Sequence, residues 1–274
     1  MNDVANLPPE VAPRGRWVGR GLLLLALAAT AWVGWRAYDH RAAIREAQAA
    51  GCTWEVREPI ALIRANWRAA FQKDTWTESY WLLHVGEGCD LASLRPLLLR
   101  LRPTDLIAYE IKDANLDALQ GLSRVKDLHL DGCPALQNVD ALKGLSGLQT
   151  LSLGGCPALQ NVGALKGLSG LQTLSLNGCT ALQNVDALKG LTGLQVLHLG
   201  GCTALQNVDA LQRLTGLKYL NLFGCTALQN VDALKGLTRL EWLDLRDCPK
   251  LPAAAVAELR AALPTTTITA DAAP

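Results

Sequence analysis

Six cysteines recur every 23 residues between residues 133 and 248 of this 274-residue chain. The surrounding sequence repeats with them: residues 148–170 read LQTLSLGGCPALQNVGALKGLSG and residues 171–193 read LQTLSLNGCTALQNVDALKGLTG, identical at 19 of 23 positions. Further units begin at Val125, Leu194, Leu217 and Leu240, and a degenerate unit begins at Leu106. A period of this length predicts a solenoid, in which each coil packs mainly against its neighbours.

Each unit opens with the pattern L-x-x-L-x-L, whose alternation predicts a strand with one buried face. Only about a dozen residues separate this strand from the glycines that lead into the next one, too few for a long helix and a turn. We therefore expect 3₁₀ or irregular turns on the far side of each coil. In the unit at residues 171–193 the expected inward side chains are Leu171, Leu174, Leu176, Cys179, Leu182, Val185, Leu188 and Leu191.

With L-x-x-L-x-L-x-x-C in six units, residues 106–251 resemble leucine-rich-repeat proteins. The following L-x-N-V-x-A-L-x-G-L is similar to the bacterial internalin-type subclass, with cysteine where asparagine is usual. The resemblance implies an α/β solenoid with a curved parallel sheet over residues 105–251, and recognition of a protein partner on its concave face. It also implies that the repeated cysteines bond backbone groups at the bend after each strand and stack on one another. This ladder consists of Cys133, Cys156, Cys179, Cys202, Cys225 and Cys248.

The N-terminal segment is expected to associate with a membrane. After a polar tail at residues 1–16, residues 17–35 contain an uncharged run bordered by tryptophans, which predicts a single-pass transmembrane anchor. A cleaved signal peptide with an A-x-A site at residues 29–31 is the alternative, and a buried soluble helix is a third interpretation. We expect the short polar tail to stay in the cytoplasm, because it is the easier end to retain. The repeats are then expected on the periplasmic or extracellular side.

Residues 36–104 are expected to form a helical stalk and an N-terminal helical cap. Ile60, Ile63, Trp67 and Phe71 follow a helical spacing, and residues 91–101 are a second helix candidate. Cys52 and Cys89 lie off the 23-residue grid, so they form a disulfide if the domain is exported, or remain two separate buried thiols. At the other end, residues 252–274 are expected to supply a capping helix at 253–263, an edge strand at 265–269 and a frayed tail.

The candidate contact patch lies among the outward strand positions, the third, fifth and seventh of each unit. The side chains at these positions are small in the middle coils and large towards the C-terminal end. Exposed aromatic and arginine side chains, as expected there, are typical of binding hot spots. The alternative is that the aromatics shield the sheet near its C-terminal cap. The predicted patch comprises Tyr219, Phe223, Trp242 and Arg246, with His198 at its edge.

Catalysis and nucleic-acid binding are both disfavoured. The formal net charge is +1 and no basic stripe is interleaved with aromatics. The four histidines are far apart in sequence and belong to no catalytic or metal-binding signature, so we expect no enzyme activity, metal or cofactor. The leading prediction is a membrane-anchored module that recognises another protein. The alternatives are a structural spacer or scaffold of the cell envelope, and a secreted effector or adhesin with a cleaved signal peptide.

Overall fold

A computed structural model describes Arg45 and residues 53–56, 81–85, 94–101, 103–108 and 116–271. Within these residues, ten strands form one sheet in which they lie side by side in chain order. The first two strands are antiparallel, and all later neighbours are parallel. The strands are β1 (Thr53–Val56), β2 (Trp81–Val85), β3 (Asp105–Ala108), β4 (Asp127–His129), β5 (Thr150–Ser152), β6 (Thr173–Ser175), β7 (Val196–His198), β8 (Tyr219–Asn221), β9 (Trp242–Leu245) and β10 (Thr267–Ala270).

The 23-residue period fixes the register of the sheet. Leu151 of β5 pairs with Leu174 of β6, which in turn pairs with Leu197 of β7, and these side chains are fully buried. All eight inward residues expected for residues 171–193 are buried, each with at most 1% of its surface exposed. The degenerate unit is a coil, because β3 pairs with β4, but its predicted start is wrong: Leu106 pairs with Leu128, the fourth residue of the next unit, so the coil begins at Pro103 rather than at Leu106. The predicted parallel sheet is therefore confirmed.

Short 3₁₀ helices lie on the opposite side of the coils, as the limited chain length predicted. A repeated asparagine precedes each of the later ones, and its side-chain oxygen accepts a hydrogen bond from the backbone N–H two residues on, as Asn161 does from Gly163 at 2.7 Å. Asn230 does the same for Asp232 at 2.7 Å. The described 3₁₀ helices are η1 (Asp117–Leu119), η2 (Asp140–Leu142), η3 (Gly163–Gly167), η4 (Asp186–Gly190), η5 (Asp209–Arg213) and η6 (Asp232–Gly236).

The bend after each strand requires a left-handed residue. Gly155, Gly178 and Gly201 all occupy it with φ between 66° and 73°, where a side chain would be strained. Because the same glycine recurs in each coil, the backbone turns there in the same way and the coils stack. In the last full coil Asp247 takes this place with φ of 56°.

Both ends of the repeat region carry additional elements. Helix α1 (Arg95–Leu101) lies within the predicted second helix, and helix α2 (Ala253–Ala262) packs on η6 and leads into β10 as predicted. The prediction that residues 36–104 are helical is wrong for two segments, which form strands β1 and β2. These tryptophan-rich segments lack the L-x-x-L-x-L pattern by which the repeat strands were recognised. The helix predicted from the spacing of Ile60 to Phe71 lies outside the described residues.

The predicted membrane segment at residues 17–35 and the proposed pair Cys52 and Cys89 also lie outside the described residues. In the part of the chain that is described, no helix has both the length and the apolar character needed to span a bilayer.

Candidate functional site

The outward strand positions form a continuous surface, here called the open face: the third, fifth and seventh residues of the coils from β3 to β10. Parallel pairing sets Val196 beside Tyr219 and Tyr219 beside Trp242. Neighbouring strands are about 4.8 Å apart, so these three side chains form one row across the sheet. Phe223 and Arg246 occupy the seventh position, about 13 Å further along the strands.

Two aromatic side chains of strand β8 and its following bend are exposed. Tyr219 and Phe223 are each 41% exposed, whereas the leucines beneath them are fully buried. The Tyr219 hydroxyl donates a hydrogen bond to Glu241 Oε2 at 2.8 Å, which fixes the orientation of the ring. Trp242 is half-buried beside it. The predicted aromatic residues are therefore neighbours on one end of the open face.

Arg246 is held by a buried carboxylate. Its Nε and Nη2 donate to Asp244 at 2.9 and 2.6 Å, and its guanidinium carbon lies 5.6 Å from the centre of the Phe223 ring. These hydrogen bonds lower the pKa of the Asp244 carboxyl group. Asp244 was expected to be an outward-facing residue, yet only 2% of it is exposed. Strand β10 adds Thr269 beside it, and Arg246 covers it from solvent.

His198 lies at the edge of the aromatic row, opposite Asn221 of β8. It is half-buried, and this burial lowers the pKa of its imidazole. At neutral pH the ring is therefore uncharged. His129 occupies the same position three coils away, so the two histidines do not form a common site.

The side chains in the middle of the open face are small and mostly polar. Threonines and serines of β5 and β6 face each other in register. At the seventh position Asp131 Oδ1 accepts a hydrogen bond from Gly154 N–H at 2.7 Å, and Asn177 Oδ1 accepts one from Gly200 N–H at 2.8 Å. A Cβ atom on either glycine would lie 3.0 to 3.2 Å from that oxygen. The glycines therefore leave room for the side chain of the preceding coil.

The cysteine ladder bonds one coil to the previous one. The thiol of Cys179 donates to the Leu153 carbonyl at 3.3 Å, and Cys202 donates to the Leu176 carbonyl at 3.2 Å. Cys156, Cys225 and Cys248 make the same bond to the coil before them, at 3.2 to 3.4 Å. Each of these thiols therefore bonds a backbone carbonyl of the preceding coil. The family resemblance implied bonds at the bend and stacking, but it did not specify this bond between coils.

The ladder cysteines are buried and form no disulfide with one another. Burial raises the pKa of Cys179 to about 11, of Cys225 to about 12 and of Cys248 to about 11. Since the thiolate is the reactive form, these cysteines stay protonated and unreactive at neutral pH.

We expect a thiol reagent such as dithionitrobenzoate to leave the ladder unlabelled in the native protein at pH 8, and to label all six cysteines after denaturation. The experiment uses a Cys52→Ser/Cys89→Ser variant, so that only the ladder can react. Mass spectrometry counts the added groups. Labelling of Cys179 or Cys202 under native conditions would contradict their burial in a rigid coil stack.

The described residues hold no group of three or more histidine, cysteine or acidic side chains suited to a metal ion.

Glu241 contacts the aromatic residues through Tyr219, and the sequence analysis did not include it in the patch. It precedes Trp242 at the second position, where other coils carry glutamine or lysine, and that change of residue type was the available signal.

A scan of protein-family models gives no match, and a search of curated proteins finds no significant similarity. Among solved structures, internalin C2 from Listeria monocytogenes is 26% identical with a TM-score of 0.55, over 69% of this chain and 80% of that one. The leucine-rich-repeat domain of the type III effector XopL is 22% identical with a TM-score of 0.49, over 69% and 75%. Human 5T4, a trophoblast glycoprotein, is 20% identical with a TM-score of 0.49, over 70% and 77%.

Three observations now agree: the 23-residue period, the parallel sheet with 3₁₀ helices behind it, and the similarity to internalin C2. The repeat region is therefore a leucine-rich-repeat solenoid whose fold resembles that of the internalins.

Proposed function

We propose that this protein recognises another protein through the C-terminal end of its open face. The contact patch consists of Tyr219, Phe223, Trp242 and Arg246, with His198 at its edge. The observation that supports it is the exposure of Tyr219 and Phe223 beside the half-buried Trp242, next to coils with small polar side chains. Aromatic and arginine side chains concentrate the binding energy of protein interfaces, and exposed apolar patches on soluble surfaces mark such sites.

The alternative role for the aromatics, shielding the end of the sheet, fits less well. Strand β10 already continues the sheet past Trp242, and α2 packs on the last 3₁₀ helix. Leu240 and Leu243, beneath the patch, are at most 1% exposed. Because these leucines face the inside of the coils while Tyr219 and Phe223 face away from it and stay exposed, we favour a partner that covers the two rings.

We propose a binding role rather than catalysis. The two described histidines of the open face are three coils apart, and His198 is uncharged at neutral pH. Arg246 is engaged by Asp244. This set of side chains suits positioning and burial against a surface, and it offers no adjacent nucleophile and base.

A structural spacer is the second candidate, favoured by the middle coils. Residues 148–170 and 171–193 are nearly identical, and their outward side chains are threonine, serine, glycine and asparagine. Such coils set the length of the solenoid without offering large contact residues. The spacer role predicts no preferred contact on the open face.

Photo-cross-linking in the native cells distinguishes the two functions. Tyr219 is replaced by a benzophenone amino acid in the full chain, and the exposed Lys189 on the opposite side of the coils is replaced in a matched control. Recognition predicts a discrete protein adduct from position 219 and none from position 189. The same adducts from both positions, or none from either, would refute recognition through this face.

We further propose that residues 17–35 retain the chain in a membrane with the repeats on the periplasmic or extracellular side. The uncharged run and its bordering tryptophans support this. Membrane fractionation followed by protease digestion of intact cells tests it. Digestion of the repeats from outside, with an intact N-terminus in the membrane fraction, is expected. A soluble chain that begins near Trp32 would indicate a cleaved signal peptide instead.

A further inference from the structure

Strand β10 ends the sheet, and no strand of the described residues lies beyond it. Its register with β9 is parallel, and Thr267 N–H donates to the Glu241 carbonyl at 2.9 Å. Alternate residues of a parallel strand direct their backbone groups to opposite sides. Thr267 and Thr269 therefore bond β9, and the N–H and C=O groups of Ile268 and Ala270 point away from it.

The earlier coils show what such outward groups bind when another strand follows. Leu199 N–H donates to the Asn221 carbonyl of the next strand at 2.8 Å, and Leu222 N–H donates to the Asp244 carbonyl at 2.9 Å. Ala270 occupies the same register position in the last strand. Its N–H group is therefore oriented for the bond that joins one strand of this sheet to the next.

The outer edge of β10 lacks the features that usually prevent strand addition. Its four residues, Thr-Ile-Thr-Ala, include no charged side chain and no proline. They pair with β9 one to one, so the strand contains no bulge. Natural edge strands are commonly protected by lysine, proline or a bulge, and β-branched residues favour strand pairing. This edge is therefore open to a further strand.

The buried apolar column of the coils also continues to this edge. Leu197, Leu220 and Leu243 lie side by side in the sheet and are fully buried. Ile268 pairs with Leu243 and extends the same column, yet it is only half-buried. A strand added to β10 would cover the remaining apolar surface of Ile268, which is a favourable change.

We infer that a second copy of this chain adds its own β10 to this edge in the antiparallel direction. The strand is self-complementary when Thr269 lies on the two-fold axis, facing Thr269 of the second copy. Ile268 then lies opposite Ala270 of the second copy, and the two residues exchange both of their backbone bonds. The symmetric pair does the same, so four hydrogen bonds join the two sheets.

The charges near the edge fit this pairing. Asp271 follows β10, and its Oδ2 accepts the Asp247 N–H at 2.8 Å. In the antiparallel register Asp271 faces the exposed Thr267 of the second copy, whose hydroxyl can donate to it. The two Asp271 carboxylates are four residues, or about 14 Å, apart along the seam. Like charges are therefore not set opposite each other, which would oppose pairing.

A second copy fits the edge better than an unrelated strand, because two-fold pairing removes both outer edges in one contact. The axis is perpendicular to the sheet, so the open faces of the two copies lie on the same side. Only four backbone bonds form, and we expect a weak dimer whose population rises with concentration. This inference does not depend on the proposed recognition function, and each can fail without the other.

Cysteine cross-linking tests the predicted register in the full chain, in nonionic detergent and with Cys52→Ser and Cys89→Ser in the background. Facing residues of a non-hydrogen-bonded antiparallel pair have Cα atoms about 4.5 Å apart, within disulfide range. Thr269→Cys is therefore expected to form a disulfide dimer with copper phenanthroline. Thr267→Cys is the matched control, because its two copies would be about 14 Å apart. We expect cross-linking at least about tenfold slower there.

Lysine substitutions at the same two positions are expected to have opposite effects. Thr269→Lys places two like charges on the axis and should raise the dissociation constant of the dimer at least about fivefold. Thr269→Ala removes the hydroxyl bond to the Leu243 carbonyl without adding charge, and less than about a twofold change is expected from it. Thr267→Lys faces Asp271 of the second copy twice, which should lower the dissociation constant about threefold.

Sedimentation velocity in density-matched detergent measures the dissociation constants, and a thermal melt verifies the fold of each variant. A wild-type chain that stays monomeric at all concentrations, together with no cross-link from Thr269→Cys, would overturn the inference. Equally fast cross-linking from both cysteine positions would show association in a shared micelle or another register and would also overturn it. The same effect of Thr269→Lys and Thr267→Lys would exclude the antiparallel seam.

Discussion

Deletion of residues 171–193 is expected to leave a folded solenoid that is one coil shorter, because it joins Gly170 to Leu194 at equivalent positions of two coils. Strand β5 then pairs with β7, and Cys202 donates to the Leu153 carbonyl in place of the Leu176 carbonyl that it contacts now. Each coil packs mainly on its neighbours, so the loss of one unit lowers Tm by only a few degrees. Circular dichroism melting and gel filtration measure the result.

Deletion of residues 171–182 is the contrasting variant. It removes β6 and Cys179 but leaves Val185, Leu188 and Leu191, which are now at most 1% exposed, without a coil to cover them. Exposure of three such side chains costs about 5 kcal/mol or more, which corresponds to a fall in Tm of roughly 10 °C or more in a domain of this size. If both deletions were tolerated equally, the coils would not be the cooperative unit that we describe.

Tyr219→Ala combined with Trp242→Ala is expected to weaken binding of the cross-linked partner by about 100- to 1000-fold. Hot-spot side chains contribute about 2 kcal/mol each, and 1.4 kcal/mol corresponds to a factor of ten. The two rings are neighbours in register, so their contributions are not expected to add fully. Surface plasmon resonance with the purified partner measures the affinity, and a thermal melt verifies the fold.

Thr150→Ala with Thr173→Ala is the matched control, since these residues occupy the same row in the middle coils. We expect less than about a threefold change in affinity from it, because small polar contacts around a hot spot contribute little. Equal effects of the two double variants would place the contact away from the aromatic end. Unchanged affinity in the aromatic variant would show that the patch has no role in recognition.

The coil architecture was predictable because one residue pattern recurs. The inward positions, from Leu171 to Leu191 in one unit, follow directly from the alternation of L-x-x-L-x-L, and the structure buries them all. The 3₁₀ helices followed from the small number of residues left in each unit. Repetition makes each prediction independent of distant parts of the chain, since every coil meets the same neighbours.

The features that were not predictable depend on contacts across different elements. Asp244 occupies an outward position, and its burial results from β10 on one side and Arg246 above it. The repeat pattern around Asp244 contains no residue type that predicts this burial. Strands β1 and β2 extend the sheet without the repeat motif, so their pairing is fixed by the sheet edge that they meet rather than by a local pattern.

Hydrogen–deuterium exchange of the full chain, alone and with the captured partner, tests recognition by the open face most directly. We predict that the partner slows exchange in the peptides that contain β7, β8 and β9, from Val196 to Leu245, and leaves the peptides containing η3 and η4 unchanged. Protection confined to the 3₁₀ helices, or spread evenly over all coils, would contradict a recognition site at the aromatic end of the sheet.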